Sequence, residues 1–297
     1  MLNNARQYEE CGLCKKIKKL SQSHIYPKFF FNTIKEISPT QKFRHSDNMD
    51  KSHQDGLKFY FLCDECESKF SKYERIFKNK FFDIIKKNKN QRIDSNNGNF
   101  KYFLLSLFWR ISMFEIYYYQ NKIKNKDDRF TEKELDSIKI ILETYRKILL
   151  NEKMEEIEKI KMYFLPIRRL QVAEDIKNKL IRMHRTDDLF EIRMITGGIR
   201  TTDNKRDVFQ KCYISAIVPY CFFLINIWGN CEIDYLSGYE VGQNIDILSD
   251  CIINLEDDLE KLIFYSFEEG FVKPDSKMSQ EVRQKIIDAV NKNLDIT

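Results

Sequence analysis

Four of the eight cysteines stand as two Cys-x-x-Cys pairs, Cys11/Cys14 and Cys63/Cys66, with 48 residues between them. The two-residue gap lets both sulfurs of a pair reach one ion, and four thiolates held tetrahedrally suit the borderline-soft Zn²⁺. One structural zinc is therefore expected on these four residues, organising the first ninety or so. A site of this kind contributes roughly 10–16 kcal/mol to folding. Gly12 lies inside the first pair, where a tight turn asks for backbone freedom. Phe59-Tyr60-Phe61-Leu62 reads as a strand and Glu67–Lys78 as a helix, so the second pair is delivered by a strand onto a helix N-terminus, a treble-clef arrangement. Met1–Glu10 is polar and does not read as a secretory signal, so paired cysteines here mean metal rather than disulfide. Cys212, Cys221, Cys231 and Cys251 are scattered singly and read as buried thiols.

Between the pairs lies Ser23-His24-Ile25-Tyr26-Pro27, and the second pair is set as Leu62-Cys63-Asp64-Glu65-Cys66-Glu67. Over residues 9–78 this order resembles the zinc-containing HNH endonucleases: a first Cys-x-x-Cys, a strand ending in Asp-His-Ile-x-Pro, a loop, then Leu-Cys-x-x-Cys followed by His or Asn. The resemblance implies a ββα-metal module that hydrolyses phosphodiester bonds, with His24 as the general base that activates water. It also implies a second, catalytic cation, Mg²⁺ or Mn²⁺, apart from the structural zinc. An imidazole takes a proton from water near neutral pH, and a cation beside the scissile phosphate offsets charge that grows in the transition state. This chain departs from the pattern at the ligands. Ser23 replaces the aspartate before the histidine and Glu67 replaces the residue after the second pair. Lys58 falls near the family's middle asparagine, with Gln54 and Asp55 just upstream as substitutes. The expected set is His24 as base with Glu67, and Asp55 or Glu74 near the cation; on a helix Glu67 shares a face with Ser71 and Glu74.

Charge points the same module at a polyanion. Residues 1–100 hold 20 Lys+Arg against 12 Asp+Glu, whereas the remainder holds 30 against 33. Lys15, Lys16, Lys18 and Lys19 follow the first pair; Lys69, Lys72, Arg75, Lys78 and Lys80 decorate the proposed helix. Phosphate neutralisation by such residues gives salt-dependent, largely sequence-independent binding, so the expected partner is nucleic acid, DNA before RNA. Phe70, Tyr73 and Phe77, interleaved at helical spacing, read as core. His45 and His53 read as solvated loop residues and His184 as a surface residue.

These residues need elements to position them, and 297 residues are ample for more than one core. The expected class is α+β: a zinc module over 1–95, a mainly helical segment over 96–186, and a mixed helix and strand region over 187–297. Asp94–Asn99 is turn-rich and marks the first boundary. Phe100–Tyr119 reads as a buried helix, and Thr131-Glu132-Lys133-Glu134 starts another that runs towards Lys161. Phe190–Ile195, Gly197-Gly198 and Val208–Trp228 read as strands and turns, with Cys231–Tyr239 continuing them; Ile245–Phe267 and Ser279–Leu294 read as helices. Tyr102–Tyr119 carries Arg110 and Glu115, and Cys212–Trp228 is short and holds Pro219, so neither reads as a membrane span and a cytoplasmic location is expected. The C-terminal region would serve regulation, a protein partner or a homo-oligomer, a layout that fits a bacterial defence or restriction effector. The rival reading from another class is a non-catalytic zinc finger that binds nucleic acid or protein.

Overall fold

The computed structural model describes residues 8–38, 40–45, 48–87, 92–122, 132–166, 170–171, 199–201, 212–228, 238–246, 251–252 and 277–294. Tyr8–Glu10 (β1), Ile17–His24 (β2) and Lys58–Cys63 (β5) form an antiparallel sheet in the order β1-β2-β5. Between β2 and β5 the chain builds Lys28–Ile37 (α1) and a small hairpin of Phe43–His45 (β3) with Asn48–His53 (β4). His45 and His53 are thus strand residues, and the His53 ring stacks on Phe43 at 6.2 Å instead of standing in a solvated loop. An aromatic neighbour across the strand pair overrides the polar local composition.

Helix α2, Asp64–Phe77, starts directly after β5, with Asp64, Glu65 and Glu67 in its first turn, where carboxylates complement the helix dipole. It buries Cys66, Phe70, Tyr73 and Phe77, a stripe at helical spacing, so these aromatics are core as expected. A π-helical turn, Lys78–Phe82, and a short helix, Asp83–Lys86 (α3), extend it.

The central element is α4, Gly98–Lys122, in which every residue from Phe100 to Ser112 is buried. A helix apolar all round must be covered on every side. Helix α2 covers one side, with Phe77 stacked on Phe103 at 4.0 Å and Tyr73 on Tyr102 at 3.8 Å. Helix α5, Glu132–Asn151, covers a second with Ile138, Leu142, Tyr145 and Leu149. A four-stranded sheet in the order β7-β11-β10-β9 joins the same core: Met162–Pro166 (β7), Ile199–Thr201 (β9), Cys212–Val218 (β10) and Cys221–Trp228 (β11). Phe223 of that sheet meets Phe164 at 5.4 Å, Phe77 at 5.9 Å and Phe30 of α1 at 6.4 Å. One continuous set of buried side chains therefore runs from Cys11 to Ile245, past positions 95 and 186.

The class is α+β, and the buried helix at 100–119, the strands within 208–228 and the C-terminal helix, here Gln280–Leu294 (α7), lie where periodicity places them. Two readings are corrected. Helix α5 stops at Asn151 instead of running towards Lys161; a short turn of helix, Met154–Ile157 (α6), follows, and residues 162–166 form a strand. Ile245 lies in a strand, Asn244–Asp246 (β12), paired with Arg92–Asp94 (β6), because its apolar side chain is needed opposite Ile93. Residues 190–198, 231–237, 253–267 and His184 lie outside the described residues. Leu170–Gln171 (β8) and Cys251–Ile252 (β13) form a short parallel pair. Among the described residues no helix is long and apolar enough to cross a membrane.

Candidate functional site

The two cysteine pairs meet. Sγ atoms of Cys11, Cys14, Cys63 and Cys66 all lie within 4.8 Å of one another, and Cys14 and Cys63 are 3.9 Å apart. Four sulfurs at tetrahedral corners about 2.3 Å from a zinc ion stand roughly 3.8 Å apart, whereas a disulfide needs about 2.05 Å. The quartet could hold a metal ion such as zinc, and its soft donors and burial suit a closed structural site. The Cys63 backbone N–H donates to Cys11 Sγ at 3.3 Å, a bond of the kind that steadies thiolate ligands. Among the four sulfurs alone, the hydrogen bond from Cys66 draws the Cys11 thiol down to about 4, while that same bond, then burial, pushes Cys66 far up. A dication held by the four sulfurs would favour the thiolate form that ligation requires.

Local backbone explains how the first pair closes. Cys11 accepts from the Lys15 N–H at 2.9 Å, and Gly12 N–H donates to the Phe61 carbonyl at 2.9 Å. The residue that takes the left-handed conformation is Lys15, φ 60°, not Gly12. Gly12 is required for a different reason: a Cβ there would stand 2.4 Å from the Phe61 ring. The turn is also gripped from outside. Arg146 of α5, held by Glu143 at 2.7 and 2.8 Å, donates to the Leu13 carbonyl.

At the other end of the β2–β5 ladder, where His24 pairs with Lys58, a polar group forms. His24 Nε2 lies 2.8 Å from Asp55 Oδ1, and the Lys58 ammonium pairs with Asp55 Oδ2. Gly56 N–H donates to Asp55 Oδ1 at 2.9 Å. Burial works to raise the Asp55 pKa, but hydrogen bonds from Lys58, His24 and Gly56 outweigh it and hold the carboxyl well below the usual carboxylate range. An ionised carboxylate only accepts, so His24 Nε2–H is the donor of this bond. His24 is 17% exposed and Asp55 39%, so the pair is shielded yet reachable from solvent.

The remaining expected residues fall in different places. Glu67, in the first turn of α2, has a buried Oε2 without a hydrogen-bond partner among the described residues, and so does Ser23 Oγ, which is fully buried. Glu74 is engaged elsewhere: its Oε1 pairs with Arg110 Nη2 at 2.7 Å. Asp55 belongs to the histidine. The cysteine quartet is the one group of three or more His, Cys, Asp or Glu side chains that converges among the described residues.

Several basic residues also have internal roles. Lys18 pairs with Glu65 at 2.6 Å, Lys78 with Asp83 at 2.8 Å, and Lys69 donates to the Leu150 carbonyl at 2.6 Å. That last bond, with Tyr102 Oη on the Leu149 carbonyl at 2.6 Å, satisfies the orphan carbonyls at the end of α5. Lys16, Lys19, Lys72, Arg75 and Lys80 are exposed. Sequence reading missed Arg110 and Arg146 as structural partners of these sites; the one signal available was a lone arginine inside the apolar run 100–112.

No protein-family model, curated protein or solved structure matches the chain.

Proposed function

We propose that this protein is a zinc-anchored phosphodiester hydrolase of the HNH-like, treble-clef type that acts on nucleic acid, DNA before RNA. The hydrogen bond between His24 and the ionised Asp55 carries the reading. A carboxylate that fixes Nε2–H leaves Nδ1 free to accept a proton, the arrangement of an oriented general base. Water loses a proton to Nδ1 as its oxygen attacks phosphorus; the phosphorus–oxygen bond to the leaving sugar oxygen breaks, and that oxygen takes a proton from solvent. Asp55 stabilises the imidazolium that results. Lys58, opposite His24 on the ladder, adds positive charge where the phosphate would sit.

A catalytic Mg²⁺ or Mn²⁺ would rest on Glu67, whose unpartnered buried oxygen suits a hard cation and whose site would be completed by water and substrate phosphate. Such a cation supplies charge neutralisation at the phosphate. Asp55 and Glu74, engaged by Lys58 with His24 and by Arg110, are less suited to it. Exposed Lys16, Lys19, Lys72, Arg75 and Lys80 support phosphate contact.

A second reading, a zinc finger without catalysis, is favoured by one observation: among the described residues only the cysteines converge as a cluster of potential ligands. Plasmid cleavage with Mg²⁺, Mn²⁺ or no metal separates the two. Metal-dependent nicking by zinc-loaded protein that falls about 10²–10⁴-fold in His24→Ala supports the enzyme. Well-folded, zinc-loaded protein that binds but never cleaves DNA supports the finger.

A further inference from the structure

Arg110 is 1% exposed in the middle of the apolar helix α4. A buried guanidinium is costly unless its donors and charge are matched, so its partners indicate what it is for. Its Nε donates to the Ser106 carbonyl one turn back at 3.2 Å. Nη1 donates to the carbonyl oxygen of His24 at 3.0 Å. Nη2 stands 2.7 Å from Glu74 Oε1, an ion pair whose geometry falls short of a hydrogen bond. The guanidinium also lies over the Phe70 ring, 5.3 Å from its centre.

The His24 carbonyl is at the last residue of β2, where the chain leaves the ladder and bends towards Pro27 and α1. Its position is set from α4 by Arg110, while Glu74, on the helix that starts at the cysteine quartet, sets Arg110 in turn. We propose that Arg110 is a positioning residue: through the His24 carbonyl it fixes the backbone from which the imidazole reaches Asp55, and Glu74 acts through Arg110. This rests on reading His24 as the base. Sequence spacing placed Glu74 near a cation; the inference assigns it to the base instead.

The test uses the full-length, zinc-loaded chain as Arg110→Ala, Arg110→Lys and Glu74→Gln. A misplacement of about 1 Å at the base costs about 100-fold in rate. The expected result is that kcat of Arg110→Ala for plasmid cleavage falls by about that factor with KM within about threefold, and that added guanidinium ion restores part of kcat. Arg110→Lys keeps the charge without the fork and falls by at least about tenfold. Glu74→Gln leaves Arg110 in place and falls less. If Arg110→Ala does not fold, the other two variants decide. A zinc-loaded Arg110→Lys and Glu74→Gln with unchanged kcat, or a loss confined to KM, overturns the proposal. If the wild type cleaves nothing, the nuclease reading fails, and ¹⁵N NMR of the His24 ring still decides this inference. One fixed Nε2–H tautomer in the wild type that becomes mixed in Arg110→Lys supports positioning; the same tautomer in both overturns it.

Discussion

Strands β2 and β5 carry two sites at opposite ends of one ladder, and the two ends are built on different physics. At one end, where Leu20 pairs with Cys63, four thiols converge in a buried site that a single dication satisfies completely. At the other, where His24 pairs with Lys58, an imidazole, a carboxylate and an ammonium share a shielded but open corner. Four soft donors around one ion would leave no place for substrate, which suits a structural site. The open end carries an imidazole whose Nε2 is held by a carboxylate. On the proposed reading the cysteine end stabilises the module and the histidine end supplies the base, so mutation separates the two roles.

The largest effect is expected at the quartet. Cys66→Ser, or chelation of the wild type, should remove one equivalent of zinc and much of the roughly 10–16 kcal/mol that such a site contributes, so the N-terminal module unfolds. Elemental analysis with near-UV circular dichroism reads both. If the module keeps its structure without metal, the division proposed between the two ends is wrong.

Changes at the histidine end should leave zinc and fold in place. Asp55→Asn should lower cleavage about 10²-fold or more, since an amide can no longer dictate the His24 tautomer or offset its charge, while zinc content stays at one per chain. The same variant tests pH dependence. The Asp55 pKa is depressed on folding, so its contribution is present above the unfolded value of about 3.9 and is lost as pH falls through the lower folded value. Wild type should therefore lose stability on acidification below about pH 4 more steeply than Asp55→Asn, read from urea midpoints at matched zinc occupancy.

Smaller effects sharpen the knuckle itself. Gly12→Ala forces the Phe61 ring aside and should cost about 1–3 kcal/mol in urea unfolding, with weaker zinc retention against a competing chelator. Lys15→Gly releases a left-handed non-glycine residue and should gain about 0.5–1 kcal/mol, less the loss of an exposed ion pair with Glu10. If the gains and losses were reversed, the turn would owe its shape to Gly12 conformational freedom instead of to space.

The sequence by itself determined the cysteine quartet, because thiols at two-residue spacing have few other uses, and two helices: α2, from the spacing of Phe70, Tyr73 and Phe77, and α4, from the length of its apolar run. It also singled out His24 and Asp55, though not their bond. The helix reading failed at its start, Ile245, and Met162–Pro166 was not read as a strand: such short apolar stretches look like any helix segment until a partner strand is supplied, since period alone does not separate a short buried strand from a helix. Only the tertiary structure decided what Glu74 and Arg110 do. Glu74 and Arg110 are 36 residues apart in sequence, and Arg110 is 86 from His24, distances at which spacing carries no geometric information. A buried charge is placed by whichever acceptors the packing brings to it, and those acceptors, here a strand-end carbonyl and a helix carboxylate, exist as a set once the core around α4 has closed.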